Sequence, residues 1–139
     1  TTLDRSSAAS DVYKRQCGNI SGAYFEGARK TDALEIKACA DINMDAANKQ
    51  ADRFDCHATS VDQLLADSEI ELVVNLTIPK AHAEIGLKAL AANKHTYSEK
   101  PFAVDIDSGH KLKETAEKQN LRIGCAPDTF LGAGIQTAR

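Results

Sequence analysis

Apolar residues recur along this chain in short runs separated by polar turns, and the spacing within the runs switches between two periods. Leu34, Ile36, Ala38 and Ala40 alternate with Glu35 and Lys37, which predicts a strand over Leu34 to Asp41 that ends on an acidic residue. Asn43 is placed to cap a helix from about Met44 to Phe54, and Cys56-His57-Ala58 is a candidate short strand. Ser60 with Gln63 forms a capping box for a helix carrying Val61, Leu64 and Leu65. Ile70 to Leu76 is almost continuously apolar and β-branched, as expected of a strand covered on both faces.

Pro79 suits a first helical position, and the helix Lys80 to Ala92 offers Ile85, Leu87, Ala89 and Leu90 for packing. Asn93 is a candidate left-handed stop. His95 to Glu99 returns as a strand that stops at Pro101. Asp105 or Asp107 caps a charged helix reaching Gln119, with Asn120 ending it. Leu121 to Ala126 is a further strand, followed from Pro127 by a loop through Gly132-Ala133-Gly134 toward a helix barely begun at Arg139.

Strands alternating with helices of this length give βαβ units, so the expected fold class is α/β, a doubly wound parallel sheet with helices on both faces. In such sheets ligands bind in the crevice at the carboxyl ends of the strands. Two expected strand ends are polar: Asn75-Leu76-Thr77-Ile78-Pro79 follows one, and Ser98-Glu99-Lys100-Pro101 closes the other. Lys100 therefore stands where chemistry is done, the alternative being a solvated strand end.

At 139 residues, 42% hydrophobic and 27% charged, the chain suits one globular domain. A net charge of −3 argues against a nucleic-acid partner, which needs clustered cations. No apolar run approaches the roughly 18 residues of a membrane span. Cys17, Cys39, Cys56 and Cys125 form no C-x-x-C pair and read as reduced, mostly buried thiols. The histidines show no metal-ligand spacing, so no metal is expected.

The amino terminus breaks the pattern. A buried strand should precede the turn at Gly18, yet Asp11, Lys14, Arg15 and Gln16 are side chains that a central parallel strand cannot bury cheaply. Asp11 to Gln16 also resembles the in-frame translation of a transposon-type sequencing-library adapter. Residues 1–16 are accordingly expected to be non-native, the first strand being replaced or missing; the alternative is a genuine polar tail preceding a divergent strand, and codons departing from the adapter would reject the foreign origin.

Cys17-Gly18-Asn19-Ile20-Ser21 fits the tail of a G-x-G-x-x-G/A turn, with Gln16 where the first glycine belongs. A side chain at Gly18 would hold the backbone away from a pyrophosphate, and the amides near Asn19 and Ile20 would supply donors at a helix start. Asp41 follows roughly 20 residues later at a strand end, where an acidic residue holds the adenosine ribose. Its alternative is a capping or solvated aspartate. Asp41 would repel a 2′-phosphate, and neither Ile42 nor Asn43 supplies a cation, so NAD is expected over NADP.

Taken with Asn75-Leu76-Thr77-Ile78-Pro79 and His82, Lys94-His95-Thr96-Tyr97-Ser98-Glu99-Lys100-Pro101 and Ala126-Pro127, these residues resemble the nucleotide-binding half of the glucose-fructose oxidoreductase, inositol dehydrogenase and rhizopine-catabolism family (Gfo/Idh/MocA). The similarity runs from about Cys17 to Arg139, and Glu-Lys-Pro is its specific part. The resemblance implies an NAD(P)-binding Rossmann domain over 17–139, whose substrate domain is absent here. It places Asn75, Thr77 and Pro79 in the loop beside the cofactor, with His82 bordering that loop or simply packed. It brings Glu99 toward the nicotinamide ribose and sets Lys100 facing the reacting hydroxyl.

By the same resemblance the intact parent is expected to be a homo-oligomer acting on a sugar or polyol, and this chain alone to be inactive; the expected location is cytoplasmic. Lys100 would act as a base or as a cation beside a developing alkoxide. Glu99 would oppose the first role if the two side chains meet. Two other functions stay open: a non-catalytic dinucleotide-binding module, and part of an NAD-dependent glycoside hydrolase.

Overall fold

The computed structural model describes the backbone of Ser6–Val12 together with residues 20–127 and 133–138. In chain order the elements are β1 (Ser6–Val12), α1 (Ile20–Ala28), β2 (Leu34–Glu35), β3 (Ala38–Asp41), α2 (Met44–Phe54), β4 (His57–Thr59), α3 (Val61–Ala66), β5 (Leu72–Asn75), α4 (Pro79–Ala91), β6 (His95–Glu99), α5 (Ile106–Lys118), β7 (Ile123–Ala126) and α6 (Ala133–Thr137). The sheet runs β4-β3-β1-β5-β6-β7, with β2 beside β1, and every pairing is parallel. Parallel pairing puts the carboxyl ends of all these strands along one edge.

The centre of the sheet is filled by residues of the segment expected to be foreign. Ala8 to Asp11 pair with Leu72 to Asn75 on one side, and Ser10 to Val12 pair with Cys39 to Asp41 on the other. A first strand is thus present at the centre of the sheet, and it takes in Asp11 and Val12, the first two residues of the run expected to be unfit for that place.

The strand expected over Leu34 to Asp41 divides in two. Leu34–Glu35 pairs near the start of β1 and Ala38–Asp41 near its end, so Ile36 and Lys37 bridge two separate stretches of pairing. The strands expected over Ile70 to Leu76 and Leu121 to Ala126 are shorter, because pairing starts only at Leu72 and Ile123. The last helix begins earlier than expected, at Ala133.

Local signals set the helix ends. Asn43 accepts from Asp45 N, Ser60 and Gln63 cap reciprocally, and Asp105 accepts from Ser108 N; each cap contributes about 1 kcal/mol. Asn93 and Asn120 adopt φ of 58° and 54°, the left-handed stops that asparagine tolerates.

Side chains of β3 alternate between two cores. Ala38 and Ala40 pack with Leu64, Ile70, Val73 and Ala89 toward α3 and α4. Cys39 packs with Phe25, Ala51 and Phe54 toward α1 and α2. The rings of Phe25 and Phe54 stack at 4.4 Å. A third cluster, Leu90, Leu112 and Ala116, joins α4 to α5. Of the described cysteines only Cys39 is buried, Cys56 and Cys125 being half-buried, so "mostly buried" holds for one of three; all three are free thiols. Among the described residues no helix is long and apolar enough to cross a membrane.

Lys94 is a buried lysine, 4% exposed, whose Nζ donates to the carbonyls of Asp67 (2.6 Å) and Ile70 (2.8 Å) and so fixes the turn entering β5. Burial lowers its pKa below the usual 10.5, against an opposing pull from Asp67. In the interval below 10.5 the unfolded chain therefore holds more protons than the folded one, and stability rises with pH there. Lys94→Met strands two carbonyls and should cost about 2 kcal/mol near neutrality. The difference in urea midpoint between wild type and Lys94→Met should widen as the pH climbs into that interval, and a constant difference would contradict the placement.

Candidate functional site

The strand tips bring the expected residues onto one edge in a definite order. Asp41 is the last residue of β3, Asn75 the last of β5, and Glu99 the last of β6, with Lys100 next. Three strand spacings separate β3 from β6 in the sheet order, about 14 Å. Asp41 and the Glu99-Lys100 pair thus mark opposite ends of one crevice rather than a single cluster. Gly18 and Asn19 lie outside the described residues, between Val12 and Ile20. Ile20 opens α1 and is exposed.

Asp41 is only 3% exposed, and its Oδ1 accepts from the amide of Asn43 at 2.8 Å. It leaves β3 on the face of Cys39, toward α1 and α2, since alternate residues share a face. Ile42 and Met44 beside it are 57% and 42% exposed. Together they offer a carboxylate acceptor next to apolar surface, a combination suited to a ribose and the flat ring it carries. Alternation in the sequence carries no sign of this apolar pair, because both lie past the strand end.

Asn75, Thr77 and His82 do not present their side chains to the crevice; they build the loop that walls it. Asn75 is fully buried: its Nδ2 donates to the His82 carbonyl, and its Oδ1 accepts from the Thr77 amide and hydroxyl. His82, 1% exposed, sets Nε2 2.7 Å from the Thr77 carbonyl and Nδ1 2.6 Å from that of Pro101. The imidazole thus ties the loop after β5 to the turn after β6. It is the packed alternative, not a residue on the rim. Pro79 is exposed at the first position of α4, where its missing amide costs nothing.

Glu99 is half-buried, and both its carboxylate oxygens are engaged. Oε1 accepts from the Tyr24 hydroxyl at 2.6 Å, and Oε2 from the backbone amide of Lys100 at 3.1 Å. Lys100 is exposed, and among the described residues no ion pair joins it to Glu99. Tyr24, Tyr97, Glu99, Ile20 and Ala126 line an open groove of about 430 Å³ between α1 and the ends of β6 and β7. The ring of Tyr97 crosses Gly124, where a Cβ would come within 2.6 Å of it. Burial pushes the Cys125 thiol beside this groove upward, and the charge of Glu99 adds to the rise. Among the described residues no group of three metal-ligating side chains occurs.

Tyr24 is the site residue that sequence reading passed over. Its partner lies 75 positions away, and only the packing of α1 against the sheet brings the two together.

Residues 17–126 match the family model described as "Oxidoreductase family, NAD-binding Rossmann fold", that of Gfo/Idh/MocA. An uncharacterized oxidoreductase of Schizosaccharomyces pombe is 48% identical over 65 residues, 47% of this chain and 18% of the relative. An inositol 2-dehydrogenase/D-chiro-inositol 3-dehydrogenase of Lactiplantibacillus plantarum is 35% identical over 110 residues, 76% of this chain and 31% of the relative. Among solved structures, biliverdin reductase from Synechocystis sp. PCC 6803, in complex with biliverdin and NADP+, superposes with a TM-score of 0.84 at 26% identity, covering 99% of this chain and 42% of that one. The chain spans 18% to 32% of the length of such curated relatives.

Proposed function

Since the chain belongs to the Gfo/Idh/MocA family of oxidoreductases with an NAD-binding Rossmann fold, we propose that it forms the cofactor half of an NAD-dependent dehydrogenase acting on a hydroxyl of a sugar or cyclitol. The observation that carries this reading is the order along the strand tips: a buried carboxylate at one end, and a carboxylate followed by an exposed lysine at the other. For a dinucleotide laid along that edge, Asp41 and Glu99 would hold its two riboses. The residues present fit it, because each position offers an acceptor for ribose hydroxyls and the wall between them is held by buried hydrogen bonds. Asp41, with no cation at Ile42 or Asn43, favours NAD over NADP.

When bound, the nicotinamide accepts or donates the hydride. Asp41 orients the adenosine end, Glu99 the nicotinamide end, and His82 keeps the two loops at fixed separation. Lys100 meets the substrate hydroxyl and takes its proton or stabilises the alkoxide as the carbon–hydrogen bond breaks. The substrate pocket and self-association belong, in this reading, to a second domain, and Ser6–Val12 stands in for the native first strand. Titrating NAD and NADP against the full-length protein with its native amino terminus should give saturable binding with NAD tighter. No binding of either would overturn the proposal.

A further inference from the structure

We propose that Tyr24 is a positioning residue for the cofactor, acting by holding the Glu99 carboxylate away from the Lys100 ammonium. The inference rests on the dinucleotide reading of the strand-tip crevice. Tyr24 projects from α1, whose Ser21, Phe25 and Ala28 are buried, so the helix and the phenol it carries are anchored. Its hydroxyl lies 2.6 Å from Glu99 Oε1, the short distance of a charge-assisted O–H···O⁻ bond.

Glu99 and Lys100 are neighbours in sequence at a strand end, and a carboxylate free to turn there would be drawn to the adjacent ammonium. That pairing would take both the acceptor meant for a ribose and the cation meant for a substrate. The Tyr24 hydroxyl on Oε1 and the Lys100 amide on Oε2 fix the carboxylate instead. A carboxylate oxygen accepts more than one hydrogen bond, so both oxygens keep a direction open for a vicinal diol. The ordering of Glu99 is then complete before the cofactor arrives.

The test is a double-mutant cycle in the full-length enzyme. Tyr24→Phe should raise the NAD dissociation constant about tenfold, and kcat at saturating NAD should fall as well, because the released Glu99 carboxylate then engages the Lys100 ammonium. In a Glu99→Ala background the same substitution should change NAD binding no further, because the group it acts through is gone. An equal loss in both backgrounds, an unmoved constant, or a Tyr24→Phe chain that no longer folds would each overturn the assignment. Wild-type enzyme that binds no NAD would sink the underlying reading, whereas normal wild-type binding with an unmoved variant sinks only the role of Tyr24.

Discussion

Replacing Lys100 with alanine in the full-length enzyme should lower kcat by about 10² to 10⁴, the usual contribution of a positioned proton-transfer group, while NAD affinity stays within about twofold. The expectation comes from placement. Lys100 follows the last residue of β6, is exposed at the crevice, and does not pair with Glu99, whose oxygens are occupied by Tyr24 and by the Lys100 amide itself. Its ammonium is therefore available to a substrate hydroxyl instead of being spent within the strand tip. Lys100→Arg separates the two chemical roles, since a guanidinium stays protonated and cannot take a proton. Substantial activity in Lys100→Arg would assign a cation beside the developing alkoxide, and activity as low as in alanine would assign a base. Unchanged turnover in Lys100→Ala would remove the residue from the chemistry.

Features written in a few consecutive residues were legible before any coordinates. The helix Met44–Phe54, the Ser60–Gln63 box, the strand His95–Glu99 and the asparagine stops at 93 and 120 all stand where the sequence puts them. Each is decided by local chemistry: a cap, a period or a tolerated left-handed residue. Features decided by a distant partner were not legible. Leu34 to Asp41 alternates as one strand, yet it divides because β1 pairs with its two ends and skips the middle. The polar content of Asp11 to Gln16 argues against a central strand, yet Asp11 and Val12 close the central strand Ser6–Val12, whose earlier residues are small.

The site divides the same way. Asp41, Asn75, Glu99 and Lys100 reach one edge because parallel topology sends every strand end there, which alternating strands and helices already imply. The inward role of His82 depends on two carbonyls, of Thr77 and Pro101, that only the folded loops bring together. The same holds for Tyr24 and Glu99.

Asp41→Ala should collapse the preference for NAD, lowering the NAD-to-NADP affinity ratio by about 10- to 100-fold, the range of a hydrogen bond to a charged group. Two effects push the same way. Loss of the carboxylate removes an acceptor for the ribose hydroxyls, which weakens NAD, and removes a negative charge that would face a 2′-phosphate, which spares NADP. A structural effect is mixed in, because Asp41 Oδ1 also accepts from Asn43, the residue capping α2. Asp41→Asn resolves this: its amide oxygen can still accept from Asn43, while the charge is gone. If charge at the end of β3 sets the choice of cofactor, Asp41→Asn should relax the ratio with little change in the urea midpoint, and Asp41→Ala should add a stability loss of about 1 kcal/mol. A ratio that stays put in both variants would mean that the carboxylate serves the start of α2 alone, and the adenosine end of the crevice would have to be sought elsewhere along the edge.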